Sequence, residues 1–372
     1  MRKFIALIVV LCLLVCLPLA LVMFNTGRVL FDAPLVKRVV TREVTESDLV
    51  PAVLRWLTYR RAQERVMTGE AKTAIDEPDV LKALEFPTIE NWRVIKMVVM
   101  PNQFLETWTA TTLDGLYTWV DNNDPLPQIT LDFKPWKDYN RSPHADKAIQ
   151  IVYDSLPPCQ QPDIDDFLKR LAAAPPGKEV LYNLYTPCMF PMPWKPDQNQ
   201  DYLSERERII AAAPDRFFLT QELSRVQKET GVGAETLKGQ IRLIRTAANL
   251  SIVVPIGLLL LLFLLTFRSP LAVTRWIGLP LLVGGLLTLL PALAYQPLVN
   301  AILIAGPMSE VPNEVRTEFL RAFGVLLAEI FRPMLYQSLA LILFGLLFTF
   351  GGLIRRPRRA AALKPADLPP PE

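Results

Sequence analysis

The chain has 372 residues, 51% of them hydrophobic and 21% charged, with a formal net charge of +3 at pH 7. So small a charge leaves no basic footprint for nucleic acid. A single histidine, His144, excludes a multi-histidine zinc site.

Four segments contain no Asp, Glu, Lys, Arg or His: Phe4–Phe24, Leu250–Phe267, Trp276–Tyr295 and Met334–Leu353. Each is close to the roughly 20 residues that a helix needs to cross a bilayer. The pattern predicts a mainly α membrane protein. It has four transmembrane helices and a large, mostly helical extracytoplasmic domain containing a few short strands.

Basic residues near membrane ends set orientation. Arg2 and Lys3 precede the first segment, Arg268 and Arg275 join the second to the third, and Arg355, Arg356, Arg358, Arg359 and Lys364 follow the fourth. This places both termini in the cytoplasm of a multipass protein of the plasma membrane. Residues 25–249 then lie outside, with 28 Lys and Arg against 31 Asp and Glu. The expected divisions are an anchor (1–24), an extracytoplasmic domain (25–249) and a three-helix membrane part (250–354) with an outer loop (296–333). A disordered basic and Pro-rich tail (355–372) completes the chain. The first segment is longer than a usual signal-peptide core and no A-x-A site follows it, so it reads as an uncleaved signal anchor. Cys12 and Cys16 read as small apolar packing residues within it.

In the outer domain, Thr45–Asp48 supplies caps for a helix from Leu49 to about Met67. Thr88 opens Ile89–Met100. Asn102 caps a helix carrying Leu105, Trp108, Leu116 and Trp119, although Asp114-Gly115 also allows a hairpin. Asp121–Pro125 reads as a turn, since it lacks the glycine and the last glutamate of a calcium loop. Gln128–Phe133 alternates as a strand does, with Ile129, Leu131 and Phe133 on one side. Ser142-Pro143 starts a helix to about Leu156, with Ser142 as its cap.

Asp163, Asp165 and Asp166 fit the first turn of a further helix better than a metal site. That helix stops at Pro175-Pro176-Gly177. Glu179–Tyr185 is a second strand, and residues 189–200 are irregular. Thr220 caps a helix to about Thr230, ended by Gly231. A continuous helix is expected from Glu235 to Phe267. Beyond Pro312, Val315, Phe319, Phe323, Leu326 and Ile330 form a stripe, expected to dock on the outer domain rather than lie at the membrane surface.

Cys159 and Cys188 stand in proline-rich contexts of the outer domain, and an even count in an oxidising compartment predicts a disulfide. No P-loop, G-x-G-x-x-G, H-E-x-x-H or G-x-S-x-G occurs. His144 reads as a surface residue. No cofactor is implied, and no catalytic residue can be chosen. Most of the outer tryptophans fill the core, while Trp56, beside Arg55, Arg60 and Arg61, also suits the headgroup level.

Trp92–Pro101, Asp114–Trp119, Ile129–Phe133, and Leu156–Cys159 with Cys188 resemble parts of an uncharacterised group of bacterial membrane proteins of a kind seen in the Chloroflexi. The resemblance implies one N-terminal span, an outer domain with a P-P-C element and C-terminal spans. It implies no activity.

The expected function is a membrane-anchored extracytoplasmic binding, scaffold or sensor protein. The alternatives are an accessory subunit of a transporter or channel, and a membrane-bound hydrolase using carboxylates. The expected partners are the lipid bilayer and either a membrane protein or an apolar ligand, with no nucleic acid.

Overall fold

In the computed structural model, the described residues are 2–68, 83–173, 188–190, 203, 206–207, 209–231, 233–267, 270–306, 308–309 and 311–354. They form two compact units. One comprises Met1–Phe31, Arg242–Val299 and Leu327–Glu372, and the other Asp32–Ile241 and Asn300–Leu326. The chain is mainly α-helical, with a single short two-stranded sheet among the described residues.

The first apolar segment becomes helix α1 (Arg2–Leu30). Ala6, Val9, Leu13, Leu17 and Leu21 recur at 3–4 residue spacing and are buried, whereas Phe4, Leu7, Leu11 and Val15 are exposed. The inner stripe packs on Leu262, Leu258, Ile252 and Leu341. The anchor of the sequence is therefore an integral helix of this unit.

Among the described residues four helices meet the length and composition of membrane spans: Phe4–Leu30, Ala234–Thr266, Val273–Ala305 and Asn313–Phe350. The second is interrupted at one residue. Ile252 is a turn between Ala234–Ser251 and Val253–Thr266. Pro255 has no N–H to give the Ser251 carbonyl, so the ladder opens there. The third and fourth spans belong to longer helices than expected, Pro270–Ala305 and Asn313–Ile354, which run through Pro280, Pro291, Pro297 and Pro333. The stretch 296–333 is accordingly two helix ends around a short break, since packed neighbours and local adjustment tolerate proline in such helices.

Within this unit, a Cβ at Gly345 would sit 2.5 Å from the Leu282 backbone nitrogen. Only glycine permits that approach. The buried polar groups are satisfied. Asn25 Nδ2 donates to Leu21 O (2.8 Å) and to Gln337 Oε1 (2.7 Å). The Thr266, Thr288 and Ser338 hydroxyls donate to carbonyls four residues back.

The other unit begins with helix α2 (Ala33–Glu46), which the sequence reading missed. Asp32 accepts from Leu35 N (3.1 Å) and caps it. Helix α3 (Leu49–Thr68) starts after Ser47, whose hydroxyl accepts from Leu49 N. Thr45 is inside α2 and does not cap α3; its hydroxyl donates to the Thr41 carbonyl.

Helix α4 (Ile89–Val99) is capped by Thr88, as expected. Helix α5 (Asn102–Asp121) settles the choice between helix and hairpin. Gly115 is there because a Cβ would collide with Ile129, so Asp114-Gly115 marks a close packing and not a turn. Asn102 is not the cap: its Oδ1 accepts from Lys96 Nζ (2.6 Å). Helix α5 packs on α2, and Lys37 Nζ pairs with Asp114 at 2.7 Å.

Strand β1 (Thr130–Asp132) lies within the predicted strand, and its antiparallel partner is β2 (Arg216–Phe218). The predicted strand Glu179–Tyr185, the stop at residues 175–177 and most of the irregular stretch 189–200 lie outside the described residues. Helix α6 (Lys134–Asn140) leads to a 3-10 turn (Pro143–Ala145) and helix α7 (Asp146–Asp154). Ser142 does not cap that turn through its side chain; the hydroxyl donates back to Tyr139 O. Helix α8 (Gln161–Ala173) has Asp163 in its first turn. Thr220 is likewise not a cap. It lies inside the helix Leu219–Thr230, and its hydroxyl donates to Pro127 O and accepts from Ile129 N.

The core joins Trp92 and Ile95 of α4 to Ala148, Val152 and Tyr153 of α7, with Ala83 and Leu156. The stretch after Pro312 meets α2 and α3 through two ion pairs, while Phe319 of its apolar stripe stays exposed. Arg321 lies 3.3 Å from the Glu43 carboxylate, and Glu314 is 2.6 Å from Arg55.

Candidate functional site

A cavity of about 220 Å³ opens beside this core. Helix α4 supplies Trp92, Ile95 and Val99 at 3–4 residue spacing, α7 supplies Ala148, Ile149 and Val152, and Ile209 and Ile210 complete the apolar wall. Trp136 and Asn140 reach it from α6, one helical turn apart. The Trp136 indole N–H donates to the Val99 carbonyl (2.8 Å). Asn140 donates to Val99 O and Trp136 O, both at 2.9 Å. Both amide protons are thus used, and Asn140 Oδ1 is left as an acceptor.

Arg206 also lines the cavity, and its guanidinium pairs with Asp146. Two buried donors on this wall have no hydrogen-bond partner: Trp92 Nε1 and Arg206 Nε. A buried donor left unpaired costs about 1–3 kcal/mol. Neither nitrogen has accessible surface, so both are packed behind the cavity wall and do not open onto it.

A second, wider cavity of about 480 Å³ lies among Ala52, Arg55 and Trp56 of α3, Glu85, Phe86 and residues 312–315. The Arg55–Glu314 pair lies on its wall. Arg60 covers the Trp56 ring at 5.8 Å from its centroid.

The carboxyls whose acidity moves are held as ion-pair partners. Arg93 donates to Asp48 at 2.5 and 2.6 Å and holds its pKa below the ordinary value. Lys137 does the same to Asp215 at 2.8 Å. Lys96 moves for another reason: burial lowers its pKa.

Cys159 and Cys188 are joined in a disulfide, as the sequence predicts. Beside it, Pro158 and Met189 form a parallel bridge, and the Phe167 and Phe190 rings meet at 4.6 Å. His144 is exposed, against Tyr139 and the Ser142 hydroxyl. The Asp121–Pro125 segment leaves the end of α5, and its Asp124 carbonyl accepts from Lys238 Nζ (2.9 Å). Asp163 accepts from Gln160 N and Asp165 from Gln161 Nε2. Among the described residues no cluster of three potential metal ligands occurs. Of the basic residues that the sequence reading expects to set topology, Arg2 and Arg275 are exposed. The Lys3 side chain, Arg268, Arg355, Arg356, Arg358 and Arg359 lie outside what the structure describes.

Sequence reasoning expected most of the outer tryptophans in the core, where Trp92 is buried and Trp136 half-buried, and it missed Arg206 and Ile209 altogether. Arg206 lies in a charged run, Glu205–Arg208, and nothing in its neighbourhood marks it as half-buried. Comparisons with protein families, with curated proteins and with solved structures found no match.

Proposed function

We propose that this is a membrane-anchored binding protein, with both termini cytoplasmic, whose extracytoplasmic helical body receives an apolar ligand in the Trp92–Trp136 cavity. The observation that carries the reading is the cavity itself: an almost wholly apolar wall interrupted by a few polar groups, the usual composition of a small-molecule site. At about 220 Å³ the cavity suits a small apolar ligand, such as a short chain or a single ring.

Native mass spectrometry of the full-length protein, gently extracted from its own membrane, tests this. A small retained molecule, lost in Ala148→Phe, supports the reading. A bare protein that takes up no short-chain apolar probe, with the same result in the filled variant, overturns it.

A further inference from the structure

We infer that Arg28, Arg245 and Arg332 form a phosphate-binding level at one end of the membrane unit and hold anionic phospholipid there by its headgroup. Under the orientation proposed above, that lipid belongs to the outer leaflet. Charge is the first ground. Residues 1–31, 242–299 and 327–354 of this unit contain a single acid, Glu329. Arg28 and Arg332 are exposed, and among the described residues neither takes part in an ion pair. Asp32, four residues beyond Arg28, caps α2 instead. A guanidinium offers five donors in a planar fork that matches a phosphate.

Contacts between the helices put the three arginines on one level. Asn25 meets Gln337 at 2.7 Å, and a Cβ at Gly27 would collide with the Ala248 side chain. Earlier residues of α1 meet Leu262 and Leu341, so α1 is antiparallel to both partner helices. At about 1.5 Å per residue, Arg28 stands about 4.5 Å beyond Asn25, and Arg332 about 7.5 Å beyond Gln337. By the second contact, Arg28 is about 1.5 Å beyond Gly27, and Arg245 about 4.5 Å beyond Ala248. The three heights agree to within about 3 Å. Arg245 also covers the Phe31 ring at 5.5 Å from its centroid, and Phe31 is one turn beyond Arg28. Arg242, one turn beyond Arg245, adds to the charge.

Depth names the ligand. The apolar runs end at Phe24, Leu250 and Met334, so the three arginines stand about 3–8 Å beyond the hydrocarbon. The headgroup layer on each side of a bilayer is about 5–8 Å thick, and the lipid phosphates lie in it. Phe331, next to Arg332, stacks on Tyr295 at 4.5 Å, and tyrosine is enriched at this depth. Glu329 offsets only one of the charges. The positive level that remains favours a lipid of net negative charge over a zwitterion.

The test uses the full-length protein in nanodiscs made mostly of phosphatidylcholine with a minor share of phosphatidylglycerol of the same acyl chains. Native mass spectrometry counts the lipids retained by the released protein. Phosphatidylglycerol should be enriched over its share of the nanodisc. The combined variant Arg28→Gln, Arg245→Gln and Arg332→Gln should lose that enrichment, by about fivefold for each arginine, while retained phosphatidylcholine stays the same. The basic residues at the other end of the unit are common to both proteins, so the difference belongs to these three. If the combined variant fails to fold, the pair Arg28→Gln and Arg332→Gln carries the comparison, since both side chains are exposed. No enrichment in the wild type, or equal enrichment in wild type and variant, overturns the inference. Loss of phosphatidylglycerol to added inorganic phosphate at constant ionic strength would assign the level to a free anion and overturn the lipid.

Discussion

Lys96 and Thr45 join α4 to α2 through a 2.5 Å hydrogen bond from the lysine ammonium to a backbone carbonyl. The second acceptor is Asn102 Oδ1, and among the described residues no ion pair includes Lys96. A buried ammonium held only by neutral acceptors has its charged form disfavoured by desolvation, which is why its pKa falls below 10.5. Between the lowered folded-state pKa and the unfolded value, the unfolded chain binds more protons. Stability therefore rises with pH through that interval, is fully present above the unfolded value and is lost as pH falls through the folded one. Thermal unfolding of the full-length protein from about pH 8 to about pH 11 should show this gain relative to Lys96→Met. Parallel pH profiles for the two proteins would count against it.

Asn25 and Gln337 couple the first and last spans. Leucine at either position strands the other amide in an apolar bundle, and leucine at both removes the conflict. A double-mutant cycle should give a coupling of about 0.6 kcal/mol, the mean for polar pairs in such bundles, and no more than about 1.7 kcal/mol. Simple additivity of the two single losses would contradict the pairing.

The Cys159–Cys188 bond closes a loop with a sequence separation of 29. Chain entropy alone predicts a loss of about 3–4 kcal/mol without it. Paired serine substitutions should lower the midpoint of chemical unfolding, and the wild type under reductant should behave like the double variant. The two faces bridged by Pro158 and Met189 should also become open to protease.

Two glycines of the spanning helices make opposite predictions. Gly345→Ala sets a methyl against the Leu282 backbone and should cost about 1–3 kcal/mol through overpacking. A Cβ at Gly257 meets nothing within 4 Å. Gly257→Ala should match or slightly exceed the wild type, since alanine favours helix. Equal melting temperatures for both variants would refute the close approach at Gly345.

Local chemistry decided what was legible in the sequence. The four spans are long apolar runs, and the Thr88 cap and the alternation of Ile129, Leu131 and Phe133 are short-range signals with one strong reading each. Helix α2 was missed because Val36, Val39, Val40, Thr41, Val44 and Thr45 are poor helix formers; its buried face against α5 overrides them. The partner of β1 could not be read either, since β2 is three residues long and its pairing depends on contacts far along the chain. The third and fourth spans were drawn short because only their apolar middles stand out in the sequence, while their helices continue beyond them. The cavity was illegible for a similar reason. Its walls come from residues 92–99, 136–152 and 206–210, and only tertiary packing leaves two of their donors without partners.

The pairing of Asn25 with Gln337 also sets a clock on biosynthesis. Its members are 312 residues apart, and at roughly 5–20 residues per second the ribosome needs about 15–60 s to supply the second after the first. Until Ile252 and Leu262 are made, α1 lacks all of these partners for its inner stripe, and until Leu341 and Gln337 follow it lacks the last of them. Packing in this unit is post-insertional: the helix made first is among the last to find all of its neighbours.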